Sequence, residues 1–148
     1  MKHYKIVVDS KEKDSSVAKV LEKHDLEIEI ATLEAGDYIV NHRIALERLT
    51  KDDILKSIFE GEKLSSKIGD MTSIYERSIL IIEGEDPFFP GRPFNLSFIQ
   101  SFLKTLAVSF GVSTLFTLND AQTAEVISSI ARAEHLNKPE PSRIQEIQ

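Results

Sequence analysis

The chain predicts an α/β fold, a central mixed β-sheet flanked by helices, and three observations carry that prediction. Apolar runs of strand length, KIVVD at 5–9 and VSTLFTL at 112–118 among them, alternate with stretches whose apolar residues recur at helical spacing. SILIIEG at 78–84 is continuously apolar until its closing Glu-Gly, as in a central strand covered on both faces. Between these lies GDYIVNHRIALERLTKDD, residues 36 to 53, whose two short apolar segments form a hairpin and so add antiparallel strands to a sheet otherwise joined by helices.

Each element follows from local chemistry. After KIVVD, Asp14, Ser15 and Ser16 offer N-caps for a helix with Val17, Val20 and Leu21 on one face. LEIEIAT at 26–32 alternates apolar and charged residues, the pattern of a half-exposed strand. The hairpin leads into ILKSIFE, a helix that Thr50 caps with Asp53 three residues on, and Leu64, Ile68, Met71 and Ile74 continue at helical spacing. Beyond the Pro- and Phe-rich loop EDPFFPGRPF, a long helical pattern runs from about Leu96 to Phe110. Asn119 with Gln122 opens the last helix, through Ala124, Ile127, Ile130 and Ala131.

With 148 residues, 41% of them hydrophobic, the chain has the size of one domain, expected over 1–136. The tail NKPEPSRIQEIQ, 137–148, has two prolines and little apolar periodicity, as a linker does. The absence of cysteine excludes disulfides and thiolate zinc sites and makes an intracellular location, cytoplasm or nucleoid, the expectation. The N-terminal apolar run is too short for a signal peptide or a membrane span, so no membrane partner is expected. A net charge of −6 is the wrong sign for a surface that grips a polyanion all over, and any DNA contact must be local, metal-assisted or shared with another domain.

The hairpin can be tested by parity. A two-residue turn at Asn41-His42 would set Asp37 against Leu46 and turn Glu47 to the opposite side of the sheet. A three-residue loop, Asn41-His42-Arg43, pairs Val40 with Ile44, Tyr38 with Leu46 and Asp37 with Glu47. That register gathers Tyr38, Val40, Ile44 and Leu46 on one apolar face and is preferred, although two carboxylates directly opposite repel unless a cation sits between them. Such a pair suits Mg²⁺, a hard ion taking oxygen ligands, and phosphodiester chemistry. A complete site of this kind adds a lysine two residues after the second acid, where this chain has Leu49.

VVDSKEKDSSVAKVL, LEAGDYIVNHRIALERLTKDDILKSIFEG and SILIIEG, in that order, resemble the nuclease domain of the XPF-type structure-specific endonucleases, which include the archaeal helicase-nuclease Hef. The resemblance runs from about Lys5 to His135. Gly36-Asp37 and Glu47-Arg48 match the family signature, Leu49 replaces its lysine, and Asp53 matches its final aspartate. Asp9-Ser10-Lys11-Glu12 stands for the family's Asp-Ser-Arg-Glu, and GEKLSSK lacks the arginine and glutamine of the following helix.

What this implies is a restriction-endonuclease-like fold that binds Mg²⁺ or Mn²⁺ and cuts branched DNA, forks or flaps, as a dimer. Asp37, Glu47 and Asp53 would be the metal ligands, with Lys11 and Arg48 near the phosphate. A helicase or DNA-binding domain, in the same or a partner chain, is the implied neighbour. Loss of one electrostatic partner such as the lysine costs about a hundredfold to a thousandfold in rate. The other reading is a pseudonuclease that binds DNA or dimerises with an active partner.

Each residue also has a plainer role. Asp53 can simply complete the cap with Thr50, Asp37 can be a turn residue after Gly36, Asp9 can end its strand and cap the next turn, and Arg48 can be a surface cation pointing away from the acids. His3, His24, His42 and His135 lack ligand spacing. Phe88, Phe89 and Phe94 suit pinning a loop to the core better than stacking on bases. The helix from Leu96 to Phe110 carries Phe98, Phe102, Leu103 and Leu106 on an apolar arc wider than one sheet contact needs, and the small residues of AEVISSIARA let helices approach, so a homodimer through the two C-terminal helices is expected.

Overall fold

The computed structural model describes residues 4–50, 52, 53, 56, 62–85 and 96–136, and the side chains of 62 and 96–99 are not among those described. Six strands form one sheet: β1 (Tyr4–Asp9), β2 (Leu26–Ala31), β3 (Tyr38–Val40), β4 (Ile44–Thr50), β5 (Arg77–Glu83) and β6 (Ser113–Thr117), in the order β2-β1-β3-β4-β5-β6. The pairs β1/β2, β4/β5 and β5/β6 are parallel, while β1/β3 and β3/β4 are antiparallel, so the sheet is mixed as expected. The helices are α1 (Ser16–Leu21), α2 (Glu62–Ile74), α3 (Leu96–Ser109) and α4 (Asp120–Leu136).

The sheet separates two cores. On one face α1 and α4 bury Val17, Leu21, Ala124 and Ile127 against Ile6, Val8, Tyr38, Leu46 and Ile81. On the other, α2 and α3 bury Leu64, Ile68, Met71 and Leu106 against Ile39, Ala45, Leu49, Leu80 and Ile82. β5 contributes to both, which is why SILIIEG carries no polar alternation. Ile74 leaves this core and is 47% exposed at the end of α2.

The capping chemistry holds. Ser15 accepts the Ala18 amide at the start of α1, and Asn119 Oδ1 accepts the Gln122 amide at the start of α4. Thr50 and Asp53 form the reciprocal box, the Thr50 amide donating to Asp53 Oδ2 at 3.1 Å and the Asp53 amide to Thr50 Oγ1 at 3.2 Å. Asp52, Asp53 and Lys56 are helical, but most of ILKSIFE lies outside the described residues, as do the loop with Phe88, Phe89 and Phe94, His3 and the tail from 137.

The hairpin adopts the three-residue loop. Val40 pairs with Ile44 and Tyr38 with Leu46, and Asn41 and His42 take φ of 53° and 57°, left-handed values that these two residue types tolerate better than most. One step beyond Tyr38 and Leu46, the Asp37 amide donates to the Leu46 carbonyl at 2.8 Å, and the chain enters through Gly36 at φ 85°.

Candidate active site

Strand alternation decides what each residue of β4 can reach. Ala45, Glu47 and Leu49 point to the α2/α3 face, and Ile44, Leu46 and Arg48 to the α1/α4 face. Asp37 lies beside Glu47 at the start of the hairpin, its backbone carbonyl accepting the Asp9 amide at 2.8 Å and its Oδ2 accepting the Arg48 amide at 2.8 Å. A cavity of about 280 Å³ has Asp37, Glu47, Arg48 and Asp53 in its wall, together with Glu12, Leu49 and the lysines 56, 63 and 67. A smaller one of about 90 Å³ adjoins it, where Lys11 meets Asp9, Gly36, Asp37, Glu47 and Lys67. Tertiary folding therefore brings the five sequence-predicted site residues to one region, with lysines along an acidic floor.

The acids are not comfortable there. Burial pushes the Asp37 carboxyl up to about 8, and the charge of Glu47 adds to the shift. Glu47, 5% exposed, is also pushed up, by burial first, while Lys67 at 3.5 Å pulls the other way. A divalent cation relieves that kind of stress, so the donor set fits Mg²⁺ or Mn²⁺. Among the described residues no group of three or more metal-binding side chains is already gathered around one point. Asp53, the third acid, uses Oδ2 in its cap and also lines the cavity.

Arg48 is where the simple surface reading is corrected. Its parity is as expected, away from the acids, but its side chain is only 13% exposed. Nη2 and Nε clamp Glu83 at 2.7 and 2.9 Å, and Nη1 reaches Glu12 at 3.4 Å. Burial alone would raise Glu83, yet the hydrogen bonds from Arg48 and Thr123 and the charge of Arg48 hold it below its ordinary value. Thr123 Oγ1 donates to Glu83 at 2.6 Å, and Tyr38 donates to Glu12 at 2.8 Å, so one polar network ties β4 to α4 and to the turn after β1. Asp9 does cap that turn, accepting the amides of Lys11 at 3.2 Å and Leu33 at 2.9 Å.

Sequence reasoning missed Glu12, Lys67 and Glu83 as parts of this region. Glu12 closes the Asp-Ser-Lys-Glu motif and Glu83 closes the continuous strand, so each had a positional signal without a partner. Lys67 precedes Ile68 on α2, and only the packing of α2 on Leu49 shows that it overhangs Glu47.

The family model for the ERCC4 domain matches residues 8–130. The chain belongs to the ERCC4 domain family. The solved structure of XPF from Aeropyrum pernix in complex with DNA superposes on this ERCC4 domain with a TM-score of 0.82 at 28% identity, covering 94% of this chain and 68% of that one. The restriction-endonuclease-like α/β fold expected of an XPF-type nuclease domain is thus the fold observed. The chain is 33% identical over 137 residues to the putative ATP-dependent RNA helicase MJ1505 of Methanocaldococcus jannaschii, and 32% identical over 149 residues to the DNA repair endonuclease XPF of Mus musculus. It spans 16% and 15% of the length of these two relatives, which cover 93% and 92% of it. No helix among the described residues is long and apolar enough to cross a membrane.

Proposed function

We propose that this ERCC4 domain is a divalent-metal-dependent endonuclease unit acting on branched DNA, forks and flaps, and that its hydrolysis is impaired because leucine occupies position 49. The observation that carries the reading is the pair of half-buried Asp37 and buried Glu47, set side by side by the hairpin register, both carboxyls raised first by burial and that of Asp37 also by the charge of Glu47. Asp37, Glu47 and one oxygen of Asp53 would hold Mg²⁺ or Mn²⁺. Bound there, the ion would activate water and neutralise charge on the phosphate. The lysines along the cavity supply the local positive charge that a molecule of net charge −6 otherwise lacks for DNA. We assign Lys11 to the phosphate path beside Asp37, and Arg48 to holding β4 in place, since carboxylates already occupy its guanidinium.

The DNA-bound Aeropyrum structure and the repair and helicase names of the relatives support DNA as the partner, with a helicase or DNA-binding domain in the same or another chain. A homodimer through the two C-terminal helices, α3 and α4, would cover exposed Val108 (79%) on α3, beside exposed Leu115 (37%) on β6 and Leu118 (55%) just after it. An intracellular site of action follows from DNA as substrate. The burial of Leu49 at 5% exposure favours the second reading, a module that binds DNA or pairs with an active partner without cutting. Incubation of fork and flap DNA with Mn²⁺ separates the two: cleavage that Asp37→Asn abolishes and Leu49→Lys increases supports the nuclease, and intact substrate at micromolar protein supports the non-catalytic module.

A further inference from the structure

On β4, position 49 faces the same side as Glu47, but leucine there is 5% exposed and packs with Leu64 and Ile68 of α2. Position 49 itself supplies no charge, and the Arg48 guanidinium beside it is taken up by Glu83 and Glu12. α2 lies directly over this spot, and the residue between those two contacts that turns toward the acids is Lys67. Its Nζ stands 3.5 Å from Glu47 Oε2, with the lysine side chain 61% exposed and the glutamate side chain 6% exposed. Lys67 also lines both cavities that contain Asp37 and Glu47. Among the described residues no other lysine pairs with either acid, and Lys11 bonds at this turn through its backbone amide, to Asp9.

We propose that Lys67 is the cation of this site, a positioning residue that supplies from α2 the positive charge that β4 lacks at Leu49. It holds the Glu47 carboxylate toward the cavity before metal binds. A divalent ion held by Asp37 and Glu47 would free the ammonium at the cavity edge, where its flexible stem would let it meet a DNA phosphate as a point charge. This inference rests on the reading of the cavity as a metal-dependent nuclease site.

The test uses Lys67→Met, which keeps the stem and removes the charge, and Lys67→Arg, which keeps the charge. Because the side chain is mostly exposed, both variants should fold, and their circular dichroism should match wild type. Titration calorimetry with Mn²⁺ should show Lys67→Met binding about twofold to fivefold tighter than wild type, since the ion no longer competes with an ammonium for Glu47. At saturating Mn²⁺ the same variant should cleave fork DNA about a hundredfold more slowly. Where wild type binds but does not cut, the salt slope of fork binding should fall by about one in its place. Lys67→Arg should lie near wild type in both readouts. Unchanged Mn²⁺ affinity in Lys67→Met, or unchanged cleavage and salt slope, overturns the assignment of Lys67 while leaving the metal site standing. No Mn²⁺ heat from wild type itself overturns the nuclease reading and this inference with it.

Discussion

Replacing Arg48 by methionine removes the guanidinium that clamps Glu83 and leaves a carboxylate only 8% exposed with Thr123 as its remaining donor. Two charge-assisted bonds of 2.7 and 2.9 Å are lost, and the Glu12 contact at 3.4 Å with them. Breaking a buried pair from one side costs about 3–5 kcal/mol, and because Thr123 stays in place we expect the lower end, about 3 kcal/mol. For a domain of this size that is a fall of about 6–12 °C in Tm. Glu83→Gln on the same background keeps the threonine contact and removes the stranded charge, so the double variant should recover about half of the loss or more. The sign with pH follows from the depressed carboxyl. Its folded value lies below the ordinary 4.5, so the stabilisation is present above about that pH and is lost as pH falls through the folded value. The gap between wild type and Arg48→Met should therefore be full at neutral pH and close in acid. Urea unfolding followed by circular dichroism at both pH values measures it. A loss below about 1 kcal/mol at neutral pH, the yield of an exposed pair, would refute the structural role given to Arg48.

Three further outcomes follow from the same geometry. The Asp37 carboxyl is raised from 3.8 to about 8, so the stability it contributes is present below the unfolded value and drains away as pH rises through the folded one; Asp37→Asn should be more stable than wild type above pH 8 and match it near pH 4, and parallel urea midpoints across that range would contradict the shift. Gly36→Ala puts a Cβ 3.3 Å from Ile39 Cδ1 and 3.4 Å from Ala45 Cβ at φ 85°, so it should cost about 1–2 kcal/mol in the same assay, whereas an unchanged midpoint would mean that the turn before Asp37 yields freely. Val108→Asp, at a side chain 79% exposed, should leave the fold intact and shift sedimentation equilibrium toward monomer; a wild-type mass that stays at one chain on concentration would remove the dimer.

The sequence by itself determined what depends on neighbours along the chain. Period and length mark the strands. Ser15, Asn119 and the Thr50–Asp53 pair mark helix starts, because a cap is satisfied by an amide two or three residues away. Parity alone decided the hairpin, since a slip of one residue would have turned Tyr38, Val40, Ile44 and Leu46 out of the core, and the same parity sets Asp37 beside Glu47. Only the tertiary structure decided which helix covers which face. Arg48 was legible as pointing away from the acids, but its partners lie 35 and 36 residues away on other elements, and no local pattern distinguishes a buried clamp from a solvated cation. Leu49 could be seen as a missing lysine; that it is a core residue under α2, with Lys67 reaching over it to Glu47, required the packing of that helix onto the sheet. The physical reason is range: backbone caps and pleat alternation act within a few residues, while buried charges find their partners across layers that form only when the whole chain has folded.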